Sequence, residues 1–276
     1  MSESKTMERI LITGAAGRIG RVLREGLASP HRILRLVDKS ALGDVAEREE
    51  HYQIDAVDLH AMTGAMKGVD SVIHLAAYPE EAPWDVIFPL NYQLTHTLFE
   101  AARIEKIKRV IFASSVQAVG FHPLETTITD EARLRPSGFY GVSKAFGESL
   151  ASLYADKFGL SVACVRIASF EEKPTDQRML STWLSHQDAL HLFEQCLTAP
   201  EFHFFRVYGV SNNTRSRVDN SHVDWLGYRP QSDAEIYLEE IMAGGDPLGP
   251  LGGRTQGGGA CDVDFAGDIE KAMHAR

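Results

Sequence analysis

The segment Thr13-Gly14-Ala15-Ala16-Gly17-Arg18-Ile19-Gly20 constrains this chain more than any other. It follows the β-rich apolar run Arg9-Ile10-Leu11-Ile12 and leads into a stretch where Ile19, Val22, Leu23 and Leu27 recur at spacings of three and four. A strand, a glycine turn and a helix with one buried face account for that pattern. Glycine suits such a turn because the backbone bends tightly and comes close to a bound group, leaving the amides of a helix N-terminus open to a pyrophosphate. A second strand, Ile33-Leu34-Arg35-Leu36-Val37, ends in Asp38, 18 residues past Gly20. An acidic side chain there can bind a ribose 2′-hydroxyl and repels a 2′-phosphate, which favours NAD over NADP. Lys39 and Arg18 are the neighbouring bases that could accept a phosphate instead.

The same alternation continues along the chain. Tyr52 to Leu59 reads as a strand with Asp58 and Leu59 at its C-terminal end, followed by a short helix near Ala61 to Lys67. Ser71-Val72-Ile73-His74-Leu75-Ala76-Ala77 is a continuous apolar strand of the kind buried on both faces of a parallel sheet, and its small final residues let a cofactor lie against the backbone. Pro79, Pro83 and Pro89 break the chain before a helical pattern from Leu90 to about Lys106, with Asn91 at its start. Arg109 to Ala113 is a further strand ending in Ser114-Ser115. The next helix carries Tyr140 and Lys144, with Val142, Phe146, Leu150, Leu153 and Phe158 as its expected packed stripe and Gly159 as its stop. Ser161 to Ile167 and Phe202 to Val210 are strands, and a helix with Leu190, Phe193 and Leu197 lies within Arg178 to Ala199.

Strands and helices alternating in this way imply an α/β fold with a doubly wound parallel sheet, whose ligands sit at the strand C-termini. The expected division is a dinucleotide-binding Rossmann core over 7–170 with a further strand near 202–210, a small C-terminal substrate-side region over 171–243, and a Gly-rich irregular segment over 244–276. Gly with Pro247 and Pro250 dominates Gly244 to Ala260, which is expected to add no packed layer.

Composition narrows the function classes. No uninterrupted apolar run reaches the roughly 18 to 20 residues that span a bilayer, and the polar start Met1-Ser2-Glu3-Ser4-Lys5 lacks the apolar core of a signal peptide, so no membrane association and a cytoplasmic location are expected. Cys164, Cys196 and Cys261 are far apart and read as buried thiols; no spacing suggests a metal site. A net charge of −10 without a Lys/Arg block argues against nucleic acid as a partner.

Tyr140 and Lys144 are four residues apart, so on a helix a phenol and an ammonium point to one side, a plausible proton-transfer pair. Together with the glycine turn, Asp38, Asp58-Leu59, His74-Leu75-Ala76-Ala77, Asn91 and Ser114-Ser115, in this order, they resemble an extended-type short-chain dehydrogenase/reductase. The segments Phe139 to Glu148, Arg178 to His186 and Val207 to Ser211 are similar to uronate dehydrogenases, which oxidise the anomeric carbon of a free sugar acid to an aldonolactone with NAD. The resemblance implies Tyr140 as base, Lys144 as the charge that lowers its pKa and holds the nicotinamide ribose, and Ser115 as the hydroxyl orienting the substrate oxygen. Cofactor contacts are implied for Gly14, Ala16, Gly17, Arg18, Ile19, Gly20, Asp38, Asp58, Leu59, Leu75, Ala76, Ala77 and Asn91. Substrate contacts are implied for Arg178, which would pair with the sugar carboxylate, and for Ser169. Three positions depart from the uronate pattern: Val116-Gln117 stands for Asn-His and Pro79 for a substrate-contacting Ser, which can alter the sugar that fits. A nucleotide-sugar epimerase or dehydratase of the same superfamily and a non-catalytic NAD-binding sensor are the competing expectations, and long helices of this kind form homodimers in the superfamily.

Overall fold

The computed structural model describes residues 7–245 and 248–274; Pro247 and the polar start Met1 to Lys5 lie outside them. A seven-stranded parallel sheet in the order β3-β2-β1-β4-β5-β6-β7 forms the middle layer, built from β1 (Glu8–Thr13), β2 (Arg32–Asp38), β3 (Glu49–Gln53), β4 (Ser71–His74), β5 (Arg109–Ser115), β6 (Ser161–Ile167) and β7 (Phe204–Gly209). Strand order reverses between β1 and β4, where such sheets open a crevice for ligands. Alternate residues of each strand enter different cores. Ile10, Ile12, Leu34, Leu36, Ile73 and Ile111 pack under α1 (Arg18–Gly26) and α6 (His186–Thr198). Leu11, Val37, Val72, Val110, Phe112 and Val162 pack under α2 (Leu59–Met66), α4 (Leu94–Ile104) and α5 (Phe139–Phe158). Both faces are covered, which is why the strands read as continuous apolar runs.

Several expected boundaries and faces differ from the observed ones. The strand near residue 52 is Glu49–Gln53; Asp58 lies beyond it as the N-cap of α2, its carboxylate accepting from the amides of His60 and Ala61. A short-polar residue three before a helical amide satisfies that amide locally, so its acidity is used for capping. The strand through residue 77 stops at His74. Pro89 breaks no helix. The helix begins at α3 (Trp84–Ile87), passes through a π-helical turn at Phe88–Gln93 that accommodates the missing proline donor, and continues as α4. Asn91 therefore sits inside that turn.

The largest correction concerns α5. Its expected stripe packs only in part: Phe146 and Leu150 are half-buried, against Tyr92 and the core, whereas Val142, Leu153 and Phe158 are 39–47% exposed. The buried face is mostly small or polar, with Gly141, Ser143, Lys144, Gly147, Glu148, Ala151 and Ala155 beside Tyr154. A Cβ on Gly147 would enter the Phe112 ring and one on Gly141 would meet the Gln117 carbonyl, so the helix backbone lies directly against β5 and the turn after it. Glu148 forms a bidentate ion pair with Arg166 of β6 at 2.8 and 2.7 Å, both side chains being buried, and accepts a 2.6 Å hydrogen bond from Ser114 Oγ. A buried pair is costly to break from one side, because the remaining charge has no solvent. Glu148→Ala is expected to lower stability by about 3–5 kcal/mol in urea unfolding, whereas a loss below about 1 kcal/mol would count against this role for the pair.

Candidate active site

At the C-terminal ends of β1, β4, β5 and β6 the strands open into one cavity of about 770 Å³. One end is the glycine turn. Gly14 has φ +69°, and a Cβ there would come within 2.8 Å of the Ala76 amide nitrogen, so only glycine keeps the two loops together. Helix α1 starts at Gly17 with no side-chain cap and no acidic residue in its first turn. Its free N-terminal amides and partial positive charge suit a pyrophosphate. Asp38 ends β2 beside this turn, accepting from the amides of Ala16 and Ser40, each at 2.9 Å. Arg18, one of the two bases that could have received a 2′-phosphate, is instead engaged by Glu171 and the Phe170 carbonyl. These residues fit a dinucleotide whose ribose carries a free 2′-hydroxyl.

The expected cofactor residues Gly14, Ala16, Gly17, Arg18, Ile19, Gly20, Asp38, Leu75, Ala76 and Ala77 all line the cavity. Asp58, Leu59 and Asn91 do not. Asp55 and Ala56, just past the end of β3, take the wall position expected for Asp58 and Leu59. Locating the strand end three residues earlier in the sequence would have identified them. Asn91 is buried, with its amide bonded to the Tyr78 backbone (2.7 and 3.1 Å) and to Ser143 Oγ (3.0 Å). It ties the loop after β4 to α5, a contact with no sequence signal because it joins residues 52 apart.

Ser115, Tyr140 and Lys144 come together at the middle of the cavity. Lys144 Nζ donates to the Ala113 carbonyl at 2.8 Å and lies 5.5 Å from the Tyr140 ring centroid. Ser114 is committed to Glu148, leaving Ser115 as the serine that hydrogen-bonds the phenol. The expected electrostatics are reversed. Tyr140 has an edge on the cavity but is surrounded by protein on the scale over which a charge is solvated, so burial pushes its phenol up to about 12, and the Ser115 bond offsets only part of that. Lys144, 5% exposed, is pushed down to about 8 by burial. Desolvation is the leading cause for both groups, and the ammonium is held by a neutral carbonyl rather than by a charge.

At the far end lie the expected substrate residues. Arg178 Nη2 donates to Ser169 Oγ at 2.7 Å, and Nη1 donates to the Gln256 carbonyl at 2.9 Å. Its Nε is buried without a partner, and among the described residues Arg178 makes no ion pair. Gln117 lines the cavity, yet its amide accepts from Ser137 Oγ at 2.6 Å and donates to the Gly257 carbonyl at 2.8 Å. Pro79 is exposed at the rim, and Val116 is buried against Tyr208 and Val210. The Gly-rich segment, expected to add no packed layer, packs behind Arg178 without lining the cavity: Thr255 to Gly258 are buried, and Leu251, Cys261 and Met273 form a small core.

The model of the NAD dependent epimerase/dehydratase family matches residues 10–194. The chain belongs to that family. Uronate dehydrogenase of Agrobacterium fabrum (strain C58) is 41% identical over 254 residues, covering 91% of this chain and 96% of the relative. An NAD-dependent glucose-6-phosphate dehydrogenase of Haloferax volcanii is 36% identical over 262 residues, 87% and 97% of the two chains. Among solved structures, a single-residue variant of uronate dehydrogenase from Agrobacterium tumefaciens complexed with NAD superposes with a TM-score of 0.89 at 40% identity, over 93% of this chain and 98% of that one. NAD is the cofactor of this family member, and the chain is a short-chain dehydrogenase/reductase of the extended type. Among the described residues no helix is long and apolar enough to cross a membrane.

The lowered pKa of Lys144 has a consequence for stability. A lysine harder to protonate in the fold than in the unfolded chain makes stability highest at alkaline pH; the contribution falls as pH drops from 10.5 to about 8 and is fully lost below that. Lys144→Met is therefore expected to abolish this alkaline dependence and raise stability near pH 7 by about 1–3 kcal/mol. Urea unfolding at pH 7 and pH 10 measures it, and a variant destabilised at both would refute it.

Proposed function

We propose that this family member oxidises the anomeric carbon of a free hexose bearing an anionic group at C6, a hexuronate foremost, to the aldonolactone. The observation that carries the reading is Arg178. A guanidinium buried in a cavity wall with no acidic partner and one unused N–H is poorly compensated until an anion arrives, and a planar fork suits a carboxylate. The two relatives described above support it, since uronate and glucose 6-phosphate both carry negative charge at C6.

The chain's residues have a division of labour in this reading. Ser115 holds the anomeric hydroxyl and Tyr140 takes its proton, while Arg178 and Ser169 hold the opposite end of the sugar. Bound NAD supplies the hydride acceptor and, in its oxidised form, a positive charge. That charge matters because a phenol pushed up to about 12 is almost wholly protonated at neutral pH, so the phenolate that accepts the proton is scarce without added positive potential. Lys144 holds the ribose side of the site through an ammonium that is already desolvated. A nucleotide-sugar epimerase reading draws on the family's name. Net NADH release on adding free sugars separates the two.

A panel of hexuronates, hexose 6-phosphates, 6-sulfonated hexoses and neutral aldoses with NAD tests the proposal. Hexuronates are expected to give the largest kcat/KM, and Tyr140→Phe is expected to lose turnover by at least about a hundredfold while binding NAD as before, the scale of general base catalysis. Retained turnover in that variant, or best activity on neutral aldoses, would overturn the assignment.

A homodimer and a cytoplasmic location complete the reading. The exposed stripe Val142, Leu153 and Phe158 of α5 continues into Trp84, Phe88 and Phe139, an apolar area suited to a second copy of the chain. Light scattering is expected to give twice the mass of one chain, and a monomer would remove this part. Cys164, Cys196 and Cys261 are buried and unpaired, as in a reducing compartment.

A further inference from the structure

We infer that Gln117 and the strap Thr255-Gln256-Gly257-Gly258 are positioning residues for Arg178, so that Gln117 governs sugar-acid affinity without touching the sugar acid's charged group. The inference rests on Arg178 being the partner of the anion. The links form a continuous chain. Ser137 Oγ donates to Gln117 Oε1 (2.6 Å), Gln117 Nε2 donates to the Gly257 carbonyl (2.8 Å), and the preceding carbonyl, that of Gln256, receives Arg178 Nη1 (2.9 Å). The strap is also laid on the loop that follows Gln117: Gly257 N donates to the Gly120 carbonyl and Gln256 N to the His122 carbonyl, each at 2.9 Å.

Its other end is fastened independently. The Asp262 carboxylate accepts from the amides of Leu251 (3.0 Å) and Gly252 (2.8 Å), and Thr255 Oγ1 donates to the Leu251 carbonyl (2.9 Å). Between these anchors the backbone must be bare. Gly258 has φ +63° and a Cβ there would fall on the Arg178 guanidinium, while a Cβ on Gly257 would come within 2.7 Å of Gln117 Oε1. The glycine run thus lets a main-chain carbonyl reach a buried cation and fix its plane, with Ser169 holding the second nitrogen. Gln117 replaces an imidazole in the uronate pattern, and its amide supplies the donor and the acceptor that join the strap to Ser137.

Gln117→Met keeps the length of the side chain and removes both hydrogen bonds. The expected result is a hexuronate KM raised about tenfold, with kcat within about threefold and NAD affinity within about twofold, the scale of a weakened hydrogen bond to a charged group. An unchanged KM, or a loss confined to kcat, overturns the inference. A second measurement does not depend on turnover. Trypsin cleavage after the exposed Arg254 is expected to be several-fold faster in both Gln117→Met and Arg178→Ala than in the unaltered protein. Equal cleavage rates overturn the coupling; faster cleavage in a protein that oxidises no hexuronate upholds the coupling and removes only the functional reading above.

Discussion

The direct contact between the backbone of α5 and the end of β5 is the constraint on which the rest of the site depends. Gly141 and Gly147 allow it, since a side chain at either would meet the Gln117 carbonyl or the Phe112 ring. The contact brings Lys144 to the Ala113 carbonyl and Tyr140 to Ser115. It also explains why some bulky apolar residues of this helix point outward. A close helix–sheet approach needs small residues inside, so Val142, Leu153 and Phe158 are left on the surface. Glu148 and Arg166 lock the same interface with charge, through the serine next to the one that meets the phenol.

The closeness that builds the site also shifts its charges. Burial raises the phenol of Tyr140 to about 12 and lowers the ammonium of Lys144 to about 8, so each group is harder to charge than it would be in water. Such a pair is sensitive to charge delivered from outside. Arg178 repeats the theme at the far end of the cavity, where a cation without an ion-pair partner among the described residues is held by a hydroxyl and a main-chain carbonyl.

Much of this was legible in the sequence because it depended on local pattern. The glycine turn, Asp38 at the end of β2, the paired serines and the Tyr140–Lys144 spacing are short-range features whose positions follow from strand and helix periodicity. The illegible parts are long-range. Asn91 bonds across 52 residues and Arg178 across 78, and neither partner has a sequence signature. Asp55 and Ala56 were hidden by an error of a few residues in one strand end, and Asp58 looked like a ligand residue while serving as a helix cap.

By itself the sequence determined a doubly wound α/β fold, a dinucleotide turn with an acidic residue ending the next strand, and the placing of Tyr140 and Lys144 on one side of a helix, because each follows from residue types at fixed local spacings. Only the tertiary structure decided which face of α5 is buried, which way burial moves the pKa values of Tyr140 and Lys144, and that the glycine-rich C-terminal segment packs against Arg178. These depend on which distant groups replace water around a side chain, and no periodicity in one dimension encodes that. The glycines that looked like loose chain are bare because a buried guanidinium lies against them.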